Sequence, residues 1–349
     1  MATERWIAAA ERTEPEEQQA RSLRPARLGE YVGQSELVER LRITIEASRA
    51  RGDAVEHVLL HGPPGLGKTT LAHVIAEEMG ASLRVTSGPA LTRGTDLVSA
   101  LTGLQPNDVL FIDEIHRMPV AVEEFIYSAM EEQRIDIAVD SGLHARTVSI
   151  RLKPFTLIGA TTRAGLLSAP LRSRFGVTHH LRYYPPEDLL RIVDRSRTIL
   201  EVQADADALR LIADRSRGTP RIANRLLRRV RDYAQVRAGG RITHPVVEEA
   251  LALEGIDALG LDELDRTYLR TIATTYKGGP VGLEAVAATM GEDAGTLEDV
   301  VEPYLLQCGF LARTRRGRQL THDGGRYLGI EIEDPEDEAE ALFNEAPVN

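Results

Sequence analysis

Apolar positions fall into three textures along the chain. Between about residues 58 and 162 they form short runs, each too short for a helix and rich in β-branched or aromatic residues. Val58-Leu59-Leu60, Val109-Leu110-Phe111-Ile112 and Phe155-Thr156-Leu157-Ile158 predict core strands, and Leu83-Arg84-Val85-Thr86 a further short strand. The intervening stretches carry a helical period: one to about Arg51, one from Thr70 closed by Gly80, one from Pro119 to Gln133. Strands alternating with helices predict a parallel sheet sandwiched by helices. From Glu187 to about Leu253 the strands stop and the pattern is helical, broken at Gly218-Thr219-Pro220, where Thr219 is the expected N-cap and Pro220 the first helical residue. The third texture starts near Leu261. Helices are expected over Asp262–Tyr276, Leu283–Met290 and Thr296–Cys308, the last opened by a Thr296–Asp299 capping box and kinked at Pro303. Phe310–Thr321 then reads as strand, basic turn, strand.

One stretch breaks the alternation of the first region. Ile135, Ile137 and Val139 occupy alternate positions, as do Val148, Ile150 and Leu152, with Asp140-Ser141-Gly142 between them. This predicts a hairpin over 135–152 with Leu143 near an exposed tip, suited either to partner docking or to packing on its own domain.

Composition sharpens the class. The 349 residues, 42% apolar and 27% charged, predict a globular protein of two or three domains. Cys308 is the single cysteine, which excludes an internal disulfide framework and a cysteine-based zinc site and fits a reducing, cytoplasmic setting. No apolar run approaches a membrane span, and no apolar segment of the signal-peptide kind follows Met1. The formal charge of −11 is misleading: eight acidic residues in 331–349 and a net −3 in 1–20 account for all of it. Both tails are expected to be disordered and solvating, and the body is neutral with local basic clusters.

The chemistry centres on Gly62-Pro63-Pro64-Gly65-Leu66-Gly67-Lys68-Thr69-Thr70, which fits G-x-x-x-x-G-K-[ST] between a strand and a helix. Glycines let the backbone curl round a phosphate, and loop N–H groups with the helix N-terminus supply positive potential. Lys68 is expected on the β- and γ-phosphates and Thr69 on Mg²⁺. Asp113-Glu114 ends the next apolar run as a Walker B pair, Asp113 for the metal shell and Glu114 to polarise the attacking water. Thr162 ends another strand and could reach the γ-phosphate or simply be a satisfied strand-end hydroxyl. Arg172 and Arg174 are either surface arginines or groups that reach a neighbour's nucleotide. Arg221 lies in the first turn of a helix, where a cation opposes the dipole unless it faces a phosphate. Arg313, Arg315, Arg316 and Arg318 surround Gly317 on the basic turn; three helices before them make a winged-helix reading with phosphate contact, against a solvated basic hairpin.

Together these stretches resemble the AAA+ ATPases, and within them the RuvB family of Holliday-junction branch-migration motors. The likeness covers about residues 20–330 and rests on Leu23-Arg24-Pro25 with Tyr31–Gln34, Gly62–Thr70, Asp113–His116, Phe155–Gly165, Leu171–Gly176, Gly218–Arg229, Glu298–Phe310 and Arg313–Arg318. It implies a division into an acidic N-terminus (1–20), a large ATPase domain (21–183), a helical lid (184–255), a winged-helix DNA-binding domain (256–330) and an acidic tail (331–349). It also implies roles. Leu23 and Arg24 line the adenine site, with Tyr184 on the lid side. Gly65, Lys68, Thr69 and Thr70 hold phosphates and Mg²⁺. Thr162 is sensor 1 and Arg221 sensor 2. Arg174 is an arginine finger acting in trans, with Arg172 the second candidate. Glu131, Glu132 and Gln133 match a segment near the neighbour's ATP, with Gln133 where the family has an aromatic. Arg313, Arg316 and Arg318 touch DNA. The implied assembly is a homohexameric ring that moves double-stranded DNA together with RuvA, docked at the hairpin, and with RuvC in a larger complex, in the bacterial cytoplasm. A clamp-loader-like remodelling ATPase shares the core without needing the basic wing. An ATP-gated DNA-binding regulator needs neither the paired carboxylates nor the finger.

Overall fold

The computed structural model describes residues 22–138 and 147–331. Two compact units emerge, one spanning Pro15–His244 and one made chiefly of Pro245–Asn349.

The first unit is built on a five-stranded parallel sheet of β1 (Val58–His61), β2 (Leu83–Ser87), β3 (Val109–Asp113), β6 (Thr156–Thr161) and β7 (Val177–His180), in the order β2-β3-β6-β1-β7. β1 and β3 bury their apolar runs on both faces, as strands covered by helices on each side must. Leu110 and Ile112 join Leu59 and Leu157 in a core with Leu97, Val122 and Ile126 from helices Gly94–Thr102 and Val120–Glu132. Alternation turns Val109 and Phe111 to the opposite face, that of helix α1 (Lys68–Met79). β7 was not expected: Val177-Thr178-His179-His180 has no apolar run, because an edge strand need bury only alternate side chains.

The hairpin is present. β4 (Arg134–Ala138) pairs antiparallel with β5 (Thr147–Arg151), Ile135 opposite Ile150 and Ile137 opposite Val148. Its expected turn at Asp140–Gly142 and the tip residue Leu143 lie outside the described residues.

The helical stretch resolves into Pro186–Ile199 (α2), Ala206–Asp214, Pro220–Arg237 (α3) and His244–Leu253. Thr219 is the N-cap residue of α3 and Pro220 its first residue, as expected. The threonine hydroxyl does not cap the helix, however; it donates to Ser216 O at 3.4 Å.

The second unit packs helix α4 (Glu263–Thr275) and Leu283–Met290 round Tyr268, Leu269 and Ile272. Its third helix departs from expectation. The cap is Asp293, whose carboxylate accepts from Thr296 N, so the expected Thr296 capping box gives way to a simple N-cap three residues earlier. Leu297–Val301 is a π turn and Glu302–Gln307 is regular again, with Pro303 in its first turn. The proline thus opens a helical segment where its missing N–H is harmless, and the irregularity sits in the turn before it. β8 (Leu311–Thr314) and β9 (Gly317–Leu320) form the basic hairpin, and His322–Leu328 closes the unit.

Candidate functional site

The Gly62–Thr70 loop leaves β1 and turns into α1 with three left-handed glycines: φ is 136° at Gly62, 83° at Gly65 and 96° at Gly67. A Cβ on Gly62 would lie 2.5 Å from Leu181 O, and one on Gly65 would lie 3.1 Å from the Arg221 Cβ. The glycines are required both by dihedral and by close approach. Gly67 is the N-cap of α1 and Lys68 its first residue. The lysine is 7% exposed, and its Nζ donates to Gly62 O at 2.7 Å and Pro63 O at 3.0 Å, folding the ammonium back into its own loop. Burial lowers its pKa to about 8; the charges of Glu114 and Asp113 oppose that shift, and Arg221 adds to it. An ammonium held in this way, under a curl of glycine-rich backbone, fits a polyphosphate that brings the missing negative charge.

Asp113 ends β3. One of its oxygens accepts from Glu114 N at 3.0 Å. Among the described residues no three or more His, Cys, Asp or Glu gather into a cage for a metal. The sequence-expected ligands Thr69 and Asp113 would offer a sparse oxygen set, of the kind Mg²⁺ takes when waters and phosphate oxygens are its other ligands. Glu114 is in the left-handed region, φ 45° and ψ 48°, a costly conformation for a residue with a Cβ. Its Oε2 accepts from the Thr162 hydroxyl at 3.2 Å and the Thr162 N–H at 3.4 Å, and lies 3.2 Å from His116 Nδ1. His116 is in turn 2.9 Å from the hydroxyl of fully buried Thr161.

Arg221 closes the phosphate end from the lid, with its N–H 3.4 Å from Gly65 O. At the other end, Leu23, Arg24, Pro25, Tyr31, Thr70 and Tyr184 are among the residues lining an open cleft. Tyr184, pushed up to about 12 by burial, bonds Tyr31 hydroxyl to hydroxyl at 2.9 Å and reaches Leu66 O at 3.3 Å. Arg195 of α2 donates to Leu23 O, Arg24 O and Glu30, stitching the entry loop to the lid.

The sequence-expected residues therefore fall into three groups. Gly65, Lys68, Thr69 and Thr70 belong to the loop, Asp113, Glu114, Thr162 and Arg221 are gathered about it, and Leu23, Arg24 and Tyr184 line the adjoining cleft. Arg174 is elsewhere: its guanidinium donates to Pro170 O at 2.8 Å and Glu131 at 3.1 Å and lies 4.4 Å from the centre of the Tyr127 ring, while Nε is buried with no partner. Glu131 and Glu132, with Gln133 as the left-handed cap of their helix, sit beside it; Glu132 pairs with Arg134 at 2.7 Å. The third group is the wing. Arg313 and Arg318 face each other across β8 and β9, and both bind fully buried Glu302. Arg315 and Arg316 form the two-residue turn and are exposed.

Three family models match in tandem: the Holliday junction DNA helicase RuvB P-loop domain over 23–181, the RuvB AAA lid domain over 184–257 and the RuvB C-terminal winged helix domain over 258–329. The chain belongs to the RuvB family. It is 56% identical over 315 residues to the Holliday junction branch migration complex subunit RuvB of Kosmotoga olearia, covering 90% of this chain and 92% of that protein. The solved Thermotoga maritima RuvB Holliday junction branch migration motor superposes with a TM-score of 0.82 at 49% identity, over 89% of this chain and all of that one. A point mutant of the same protein gives 0.83 at 49% identity, over 89% and 99% of the two chains. RuvB-family membership makes this chain a P-loop AAA+ ATPase with a winged-helix domain.

Sequence reasoning passed over His116, which stands in the quoted Asp113–His116 stretch without a role, and Arg195 and Glu30. A lone basic residue on an amphipathic helix carries no signal for what it will clasp.

Proposed function

We propose that this chain is the ATP- and Mg²⁺-dependent motor of Holliday-junction branch migration. It acts as a homohexameric ring on double-stranded DNA, with RuvA docked at the 135–152 hairpin and RuvC joining a larger complex in the bacterial cytoplasm. The division into 21–183, 184–255 and 256–330 assigns hydrolysis, coupling and DNA contact to separate parts. No helix of the described residues is long and apolar enough to cross a membrane.

The observation that carries this reading is the local anchoring of Arg174. The phosphate loop has its lysine, its carboxylates and Arg221, while the guanidinium of Arg174 is held by Pro170 O, Glu131 and the Tyr127 ring rather than by the loop. A cation positioned by a carboxylate, a carbonyl and a ring, with a buried nitrogen unsatisfied, is a group waiting for an anion from a second copy. Mg²⁺, when bound to Thr69 and Asp113, offsets phosphate charge. Lys68 leaves its loop carbonyls for the phosphates. Glu114 orients water once it turns from Thr162. Arg174 of the adjacent subunit stabilises charge on the transferred group. Strand exchange of a synthetic four-way junction, with and without RuvA and with and without ATP, tests the proposal. Dissociation into duplexes only with both present supports it, and ATPase activity without any junction processing refutes the motor.

A further inference from the structure

The base end of the cleft contains one polar side chain that is half used. Arg195 is spent on Leu23 O, Arg24 O and Glu30; Glu30 also accepts from Ala26 N; Tyr31 and Tyr184 bond each other. Asn224 also lines the cleft. Its Oδ1 accepts from the Ser196 hydroxyl at 2.6 Å, and its Nδ2 makes no hydrogen bond among the described residues. Ser196, on α2, is fully buried, so the serine end of this pair is fixed. Oxygen and nitrogen of a carboxamide lie in one plane, on opposite sides of the Cβ–Cγ axis. Pinning the oxygen to α2 therefore commits the two N–H donors to the remaining side. Asn224 also follows Arg221 by three residues on α3, so the two share a helix face about one turn apart. Arg221 stands at Gly65, the phosphate end, and the next position along that face falls at the base.

We propose that Asn224 is a specificity-determining residue: its amide donates to an acceptor nitrogen of the adenine ring, and Ser196 is the positioning residue that decides which end of the carboxamide faces the base. This rests on the nucleotide reading of the cleft and deepens it. Adenine presents a bare ring nitrogen where guanine carries N–H, so a fixed donor there favours the first and opposes the second.

The test is binding of fluorescent ADP and GDP to the full chain, with inorganic tripolyphosphate as competitor. Asn224→Leu is expected to weaken ADP about tenfold, the scale of one lost hydrogen bond, and to leave tripolyphosphate competition unchanged. Asn224→Asp, which replaces donor by acceptor, is expected to lower the ADP:GDP preference by about tenfold or more. Ser196→Ala is expected to cost about threefold for ADP by freeing the amide to turn, and Ser196→Thr, which keeps the hydroxyl, to restore it. Asn224→Leu binding ADP like wild type, or losing ADP and tripolyphosphate alike, would overturn the assignment while the nucleotide site stands. Wild-type protein that binds neither ADP nor tripolyphosphate would overturn both.

Discussion

Thr162 holds Glu114 by a single oxygen: hydroxyl and backbone N–H of the threonine both donate to Glu114 Oε2, at 3.2 and 3.4 Å. The carboxylate proposed to polarise water is thus occupied by the residue proposed to sense the γ-phosphate. A phosphate that draws the Thr162 hydroxyl away releases the base. Glu114→Gln is expected to keep nucleotide binding and reduce turnover by about 10²-fold or more, the usual scale for loss of a general base. Thr162→Val removes one of the two donors and is expected to lower kcat less, with little change in nucleotide Kd. Steady-state ATPase rates beside equilibrium binding separate the two effects. Wild-type turnover in the glutamine variant would remove Glu114 from the chemistry.

Arg174 supplies a second expectation. If it serves the neighbour, Arg174→Ala and Lys68→Ala are each inactive, yet mixed rings contain interfaces with an intact loop on one side and an intact arginine on the other. Equal mixing makes roughly a quarter of interfaces competent, and ATPase activity should recover on that scale. Complete failure of every mixture, with rings shown intact by sedimentation, rules out action in trans.

Lys68 makes nucleotide binding pH-dependent. Burial lowers its pKa to about 8, and a bound polyphosphate must favour the charged form. Above that pH, binding takes up a proton, and affinity is expected to fall by up to about tenfold per pH unit. Calorimetry at pH 8.5 in two buffers of different ionisation enthalpy reads the uptake, which Lys68→Met abolishes. The sign for stability is opposite. The folded value is about 8 and the unfolded one near 10.5, so the unfolded chain holds more protons between them and the free fold gains stability as pH rises through that window. Comparing Tm from pH 8 to 10 in wild type and Lys68→Met isolates this contribution.

Much of this site was legible before the fold. Gly62–Thr70 and Asp113-Glu114 were readable because their chemistry demands fixed spacing on one strand-turn-helix and one strand end. What eluded the sequence is of two kinds. β7 has no hydrophobic signature because only its neighbour β1 requires it. The clasps Arg195 to Leu23 and Ser196 to Asn224 join residues far apart in the chain, and nothing in the local spacing of a serine or an arginine tells which distant group it meets. The Thr296 capping box shows the converse hazard: the letters fit, but Asp293, three residues earlier, takes the cap with a stronger acceptor.

The wing sets the final expectation. Arg313 and Arg318 lie directly opposite on β8 and β9, where like charges repel. Glu302 lies between them, taking Arg313 Nε at 2.7 Å and Arg318 Nε at 2.8 Å, with the Tyr268 hydroxyl donating at 2.5 Å. Burial pushes its carboxyl up, but the bonds from Arg318, Tyr268 and Arg313 outweigh that and hold it below the ordinary value. Its contribution is therefore present above the unfolded-state pKa of 4.5 and is lost only as pH falls through the lower folded value. Two of the four wing arginines are thus matched internally, and the cations at the hairpin turn are Arg315 and Arg316. Replacing those two with Gln is expected to weaken duplex binding evenly across sequences and to reduce the slope of log K against log salt by about 2, with Tm unchanged. Glu302→Gln is expected to lower Tm, costing about 3 kcal/mol through loss of the buried partner of two arginines, which keep only the longer contacts to Glu298. Its salt slope should rise rather than fall, because Arg313 and Arg318 become available to phosphate. A reduced slope in Glu302→Gln, with the unit still folded by circular dichroism, would show instead that the carboxylate is needed to present both arginines to DNA.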